Sequence, residues 1–173
     1  MKKYWKKIEA WFGENEPEIL KTFNEGATEE QFKELENVLG FELPLDFREF
    51  YSVHNGQDTG AVFGSAIIDP DSEGLSSVQR IIDTYKMYQS IAEYATDVSD
   101  DDVEDGIKPM YWNDKWLPIM EDGMGNSYFI DLDPDENGRK GQIILRYNEG
   151  PTYELVAPSL EKWVKEFIEG NLD

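Results

Sequence analysis

The 173-residue sequence predicts a single α+β domain, with an antiparallel-rich, mixed β-sheet of about four to six strands flanked by helices. Three observations predict it. Apolar residues recur at helical spacing through most of the first half. From Trp116 onward the period drops to that of strands. Short connections rich in Gly, Asn and Asp join those strands, so neighbours should pair antiparallel. No internal repeat or linker interrupts the chain, so residues 1–173 are taken as one domain. The apolar share of 39% includes 13% aromatics. A chain of this size buries about two-thirds of its unfolded surface.

The elements follow in order. Residues 2–12 place Tyr4, Trp5, Ile8, Trp11 and Phe12 on one face of an amphipathic helix with a basic flank. Pro17 opens a second short helix, "PEILKTF". In "GATEEQFKELENVLGFELP", Thr28 caps a third helix and Gln31 completes a capping box. Glu29 and Glu30 suit its positive end, and Phe32, Leu35, Val38 and Leu39 form its apolar face. Gly40 ends it in a left-handed turn. Pro44 fits the first turn of a fourth helix, "LDFREFYSVHNG", with Phe47, Phe50 and Tyr51 inward and Asn55-Gly56 as the stop. "AVFGSAIID" (61–69) reads as a strand bent at Gly64. A longer helix spans roughly 76–94, with Val78, Ile81, Ile82, Tyr85, Tyr88 and Ile91 buried. "DVSDDDVEDG" then carries six acids among ten residues and reads as a mobile loop. Strands are expected at 116–120, 127–132, 142–147 and 153–157. A last helix, 159–170, is capped by Ser159, ended by Gly170, and turns Leu160, Trp163, Val164, Phe167 and Ile168 inward.

Charge is the dominant global property. There are 37 acidic residues against 16 basic, a net charge of −21. Such a surface repels nucleic acid and anionic lipid and attracts a cationic partner, with a strength that falls as salt rises. Cysteine is absent, which removes disulfides, thiolate zinc sites and thiol nucleophiles. No apolar run of signal-peptide length follows the first lysines, because Lys6, Lys7, Glu9 and Glu14 interrupt it, and no run approaches the length of a membrane span, so a cytoplasmic location is expected.

"DLDPDENGRKGQ" (131–142) begins like a calcium loop, with Asp131, Asp133 and Asp135 on alternate positions. An EF-hand needs glycine at its sixth position and glutamate at its twelfth. Here those positions hold Glu136 and Gln142. Pro134, Asn137 and Gly138 fit a hairpin connection better. The single histidine, His54, closes a helix, where a protonated imidazole is welcome, and no nucleophile neighbours it in sequence. The Gly-x-Gly of "DGMGNS" (122–127) precedes a strand and lacks a third glycine, which argues against a dinucleotide site. Among the carboxylates Asp131 is the best placed for acid–base work, at the end of an apolar strand, but a turn residue bonding nearby amides explains it more simply. Lys2, Lys3, Lys6 and Lys7 read as one solvated helix face. No catalytic residue, metal ligand or cofactor is assigned.

These segments also carry a resemblance. "GATEEQFKELENVLGFELPLDFREFYSVHNGQ" (26–57) resembles the N-terminal signature of the Smi/Knr family, through Gly26, Glu36, Leu43, Pro44, Phe47, Tyr51, Asn55 and Gly56. A second signature matches at Trp116, Pro118, Asp122, Gly123, Gly125, Asp131, Gly141 and Gln142, and the closing helix matches as well. The family belongs to the SUKH superfamily of bacterial toxin-immunity proteins and fungal cell-wall assembly regulators. The resemblance covers about residues 5–170, and 76–107 match least. It implies a non-enzymatic binding domain. Fungal relatives usually carry long disordered tails, and the lack of one here favours the bacterial type, an immunity protein neutralising a basic toxin domain such as a nuclease. A regulatory interaction module of the cell-wall assembly type is the alternative, and a carboxylate-dependent hydrolase a third reading. Nucleic-acid and membrane partners are not expected. The expected contact surface is the acidic segment, Asp97, Asp100, Asp101, Asp102, Glu104 and Asp105, with Tyr111 and Trp112 beside it. Gly26, Leu43, Pro44, Asn55, Gly56, Gly123 and Gly125 read as architectural.

Overall fold

A computed structural model describes residues 1–58, 74–95, 98–122, 125–150 and 152–172. The strand expected at 61–69, together with Asp97 and Gly123, lies outside the described residues. Along the chain run helices α1 (Lys2–Asn15), α2 (Pro17–Leu20), α3 (Glu29–Leu39), α4 (Leu45–Tyr51) and α5 (Val78–Ala92). A 3₁₀ turn (Asp100–Asp102) follows, then strands β1 (Trp116–Glu121), β2 (Ser127–Asp131), β3 (Gln142–Arg146) and β4 (Tyr153–Ala157), and helix α6 (Leu160–Asn171). The sheet is a meander in the order β1-β2-β3-β4, and all three pairings are antiparallel. The architecture is α+β, as expected. Among the described residues the parallel component is an isolated bridge, Val103 to Tyr153.

Local chemistry accounts for most boundaries. Thr28 accepts from the Gln31 amide while the Gln31 side chain accepts from the Thr28 amide, and Gly40 closes α3 in the left-handed region. Ser77 and Ser159 cap α5 and α6. Three details differ. Pro44 stands at the N-cap of α4 with extended ψ, one residue before the first turn. The last helix continues through Gly170 to Asn171. The fourth helix ends at Tyr51, so Asn55-Gly56 is not its stop. That pair serves a distant element instead. Asn55 Oδ1 accepts from the Val78 amide at the start of α5. Gly56, at φ 74°, runs so close to the Ser76–Ser77 backbone that a Cβ there would overlap the Ser77 nitrogen.

The sheet is covered on both faces, and every residue of β2 and β3 is buried. Helices pack on one face around Trp5, Phe12, Phe47, Phe50, Leu117, Ile130 and Ile143. Trp5 donates from Nε1 to the Phe50 carbonyl at 2.9 Å, which ties α1 to α4. The other face holds a smaller cluster, Trp116, Phe129, Ile144 and Tyr153, under Tyr88, Val98 and Ile107. Its cover is mainly irregular chain, residues 98–112. Ile91, expected in the buried stripe of α5, is 38% exposed, as are Met87 and Tyr94 to a greater degree.

The acidic segment is not the free loop its composition suggests. The Glu104 amide donates to the Tyr153 carbonyl, and Glu104 Oε2 accepts from the Leu155 amide at 2.7 Å. The segment therefore runs along the outer edge of β4. At the opposite edge, the Ser76 amide donates to the Ile119 carbonyl of β1.

Candidate functional site

The loop-covered face is organised in rows across the strands. At one end Trp116, Asp131 and Gln142 are cross-strand partners on β1, β2 and β3. Pro118, Phe129 and Ile144 form the middle row. At the other end Glu121, Ser127, Arg146 and Tyr153 continue across all four strands. Alternation along a strand puts residues two apart on one face, so the rows share it.

Asp131 has no exposed surface. Its Oδ1 accepts from Trp116 Nε1 and from the Asp133 amide, both at 3.0 Å, and its Oδ2 accepts from Gln142 Nε2 at 2.9 Å. Burial raises its carboxyl above the ordinary range, and those three donors oppose the rise. A hydrolase would need such a raised acid in a cleft, but this one is sealed and fully bonded. Its role is the amide-bonding turn residue, extended by a tryptophan and a glutamine.

The remaining acids of "DPDENG" do not converge. Asp133 bonds Asn113 Nδ2 at 3.0 Å and pairs with Lys108 at 2.6 Å, contacts that lower its carboxyl. Asp135 and Glu136 are exposed. Among the described residues no group of three or more His, Asp or Glu is placed to hold a metal ion. The turn instead clasps the acidic segment. The Gly106 carbonyl accepts from the Asp135 amide at 3.1 Å and from Gln142 Nε2 at 2.9 Å, and Asn137 donates to Asp105 at 3.0 Å. Gly106 and Gly138 meet backbone to backbone. A Cβ on Gly106 would lie 2.7 Å from the Gly138 Cα, and one on Gly138 would overlap the Gly106 oxygen.

The predicted contact residues are thereby placed. Asp100, Asp101, Glu104 and Asp105 are exposed, and Asp102 is partly so. Ser99 caps the 3₁₀ turn that carries the three aspartates. Tyr111 and Trp112 are half-buried and do not project. Trp112 lies flat on Tyr88 at 5.1 Å, and its Nε1 donates to Asp114. Tyr111 stacks over the Arg146 guanidinium, 4.8 Å from ring centre to charge centre. The acids form an exterior ridge, and the two rings belong to the wall beneath it.

The signature residues act mainly on architecture. Glu36 Oε1 accepts from the Leu43 amide and pairs with Arg48, fixing the α3–α4 connection. Leu43 and Phe47 are buried, and Pro118 sits at a register shift between β1 and β2. Gly26 passes against the Ser52 carbonyl with no room for a side chain, and Gly125 has φ 86°. His54 has both ring nitrogens engaged, Nδ1 with the Asn24 carbonyl and Nε2 with Glu9, each at 2.9 Å. Lys2, Lys3, Lys6 and Lys7 are exposed on α1.

Arg146 was not among the expected site residues. The available signal is its place in "QIILRY", two residues beyond Ile144, where alternation turns a charge inward.

The family model of the SMI1/KNR4 family (SUKH-1) matches residues 26–166. The chain belongs to that family. The glucan synthesis regulatory protein of Neurospora crassa is 28% identical over 90% of this chain and 35% of its own length. The cell wall biosynthesis/cell cycle regulator smi1 of Schizosaccharomyces pombe is 31% identical over 90% of this chain and 33% of its own. The cell wall assembly regulator SMI1 of Saccharomyces cerevisiae is 19% identical over 94% and 39%. The chain thus spans about a third of the length of these curated SMI1/KNR4 relatives. All three are fungal and are named as regulators, which favours the regulatory alternative over the bacterial immunity reading. Among the described residues no helix of this family member is long and apolar enough to cross a membrane.

Proposed function

We propose that this SMI1/KNR4 domain is a non-catalytic, regulatory protein–protein interaction module of the cell-wall assembly regulator type, and that its acidic ridge steers a cationic partner. The observation that carries the reading is the match, over nine-tenths of the chain, to proteins named as regulators of glucan synthesis and cell-wall biosynthesis. The ridge supports the second half. Asp100, Asp101 and Asp102 sit on a capped turn beside an acidic edge segment bonded to β4, so their charge is held at a defined place rather than spread by a free loop. With −21 on the whole molecule, association with a basic surface is fast and salt-sensitive.

The test begins by co-purifying the chain with its native partner and identifying that partner by mass spectrometry. Association is then followed for wild type and for Asp100→Lys, Asp101→Lys and Asp102→Lys combined. The expected result is association slowed by about tenfold or more, with a shallower dependence on salt. Unchanged rate and salt slope would remove the ridge from the interface. A co-purified secreted toxin would return the domain to the immunity reading.

A further inference from the structure

We infer that Arg146 is an oxyanion site, built to receive a carboxylate group brought by a ligand. This goes beyond the partner-steering ridge and does not rest on it.

The guanidinium is anomalous in its surroundings. Arg146 is 6% exposed, inside a protein with 37 acidic side chains, yet it makes no ion pair among the described residues. Its Nε is sealed from solvent and has no hydrogen-bond partner. Two other arginines, neither of them fully buried, contrast with it directly. Arg48 pairs with Glu29 and Glu36, and Arg80 pairs with Glu121. Taking a charge out of water costs several kcal/mol unless something compensates it. Arg146 has aromatic compensation, with the Tyr111 ring at 4.8 Å, the Tyr88 ring at 5.6 Å and the Tyr153 hydroxyl alongside. Ring faces attract a cation and the Tyr153 hydroxyl lies within hydrogen-bonding reach of it, but the Nε–H is left without an acceptor.

The tyrosines are themselves anchored. Tyr88 and Ser127 share a hydrogen bond of 2.8 Å, and the Tyr153 hydroxyl donates to the Tyr111 carbonyl at 2.8 Å. The guanidinium is therefore held in a fixed frame with its Nε donor unspent. A planar carboxylate matches a guanidinium fork and would complete it. The carboxylate is preferred to phosphate because the net field is strongly negative and Glu121 lies two strands away in the same row. Both penalise a dianion twice as much as a monoanion.

The measurement is an NMR titration of the wild-type chain that follows the Arg146 Nε–H resonance, assigned through loss of that peak in Arg146→Lys. Sodium acetate, sodium phosphate and sodium chloride are added in separate arms at matched ionic strength. A peptide with a free C-terminus and its amidated twin form two further arms. The expected result is a saturable shift with acetate in the millimolar range, a weaker response to phosphate and none to chloride. A shift with the free but not the amidated peptide makes a chain terminus the source of the group, and equal shifts with both make it an acidic side chain or a free acid. No saturable shift with acetate or with either peptide, or an equal shift with chloride, overturns the site. Saturation with phosphate alone overturns the preference for carboxylate.

Discussion

At one end of the loop-covered face a carboxylate with no exposed surface has three donors and sits between a tryptophan and a glutamine. At the other end, about 13 Å along β2, a guanidinium with 6% exposure has ring faces and, among the described residues, no ion-pair partner. Both groups are inward positions of neighbouring strands, and both are covered by the same 98–112 segment. What separates them is closure. The Asp131 end is bonded to the turn and the covering segment together through Gln142, which reaches both Asp131 and the Gly106 carbonyl. The Arg146 end is framed but incomplete. A buried charge with its bonds made holds a fold together, whereas one with a donor unspent is equipped to meet something else.

The largest effect should come from breaking the closed end. Asp131→Ala leaves the Trp116 indole N–H and the Gln142 amide without their acceptor in a sealed site, and is expected to cost about 3 kcal/mol or more in denaturant unfolding. Next comes the clasp. Gly138→Ala puts a methyl against the Gly106 oxygen and is expected to cost about 2 kcal/mol. The same variant should speed amide exchange at Glu104 and Leu155 more than in the helical layer, because it lifts the covering segment from β4. Arg146→Met gives the smallest change, within about 1 kcal/mol in either direction, since an apolar side chain of similar length replaces an unpaired charge. If Arg146→Met cost as much as Asp131→Ala, the two ends would be alike and the contrast would fail.

A pH series sharpens the comparison. Burial raises the Asp131 carboxyl in the folded state, so folding favours its protonated form. Its contribution is fully present below the unfolded value and is lost as pH rises through the folded one. The advantage of wild type over Asp131→Asn should therefore shrink as pH rises across that window. Asp133, lowered by Asn113 and Lys108, has the opposite sign: its contribution is present above the unfolded value and is lost as pH falls through the folded one. Wild type should accordingly lose ground to Asp133→Asn on acidification, and denaturation midpoints at several pH values distinguish the two.

The legible features were those written in local chemistry. The Thr28–Gln31 box, the Ser159 cap and the four strands follow from neighbours in sequence, and they lie within a residue or so of their expected places. Asp131 was legible as the best-placed acid, because it ends an apolar strand. The rest depends on residues far apart. Asn55 caps a helix that begins 23 positions later. Glu104 bonds an amide 51 positions away. Composition alone made the acidic segment look mobile, since its carboxylates hide that Val103, Glu104 and Gly106 carry backbone bonds to β4 and the 131–142 turn. Arg146 escaped notice because one charge at an inward strand position matters only once it is seen to make no ion pair among the described residues.

The occupied flanks of the sheet have a consequence for recognition. Residues 75–76 and 103–104 already take backbone ladder positions on the two outer strands. A visiting peptide that paired at those positions would first have to strip one of them away. At those positions a visitor meets side chains rather than free backbone groups, and selectivity there tracks charge placement and contour.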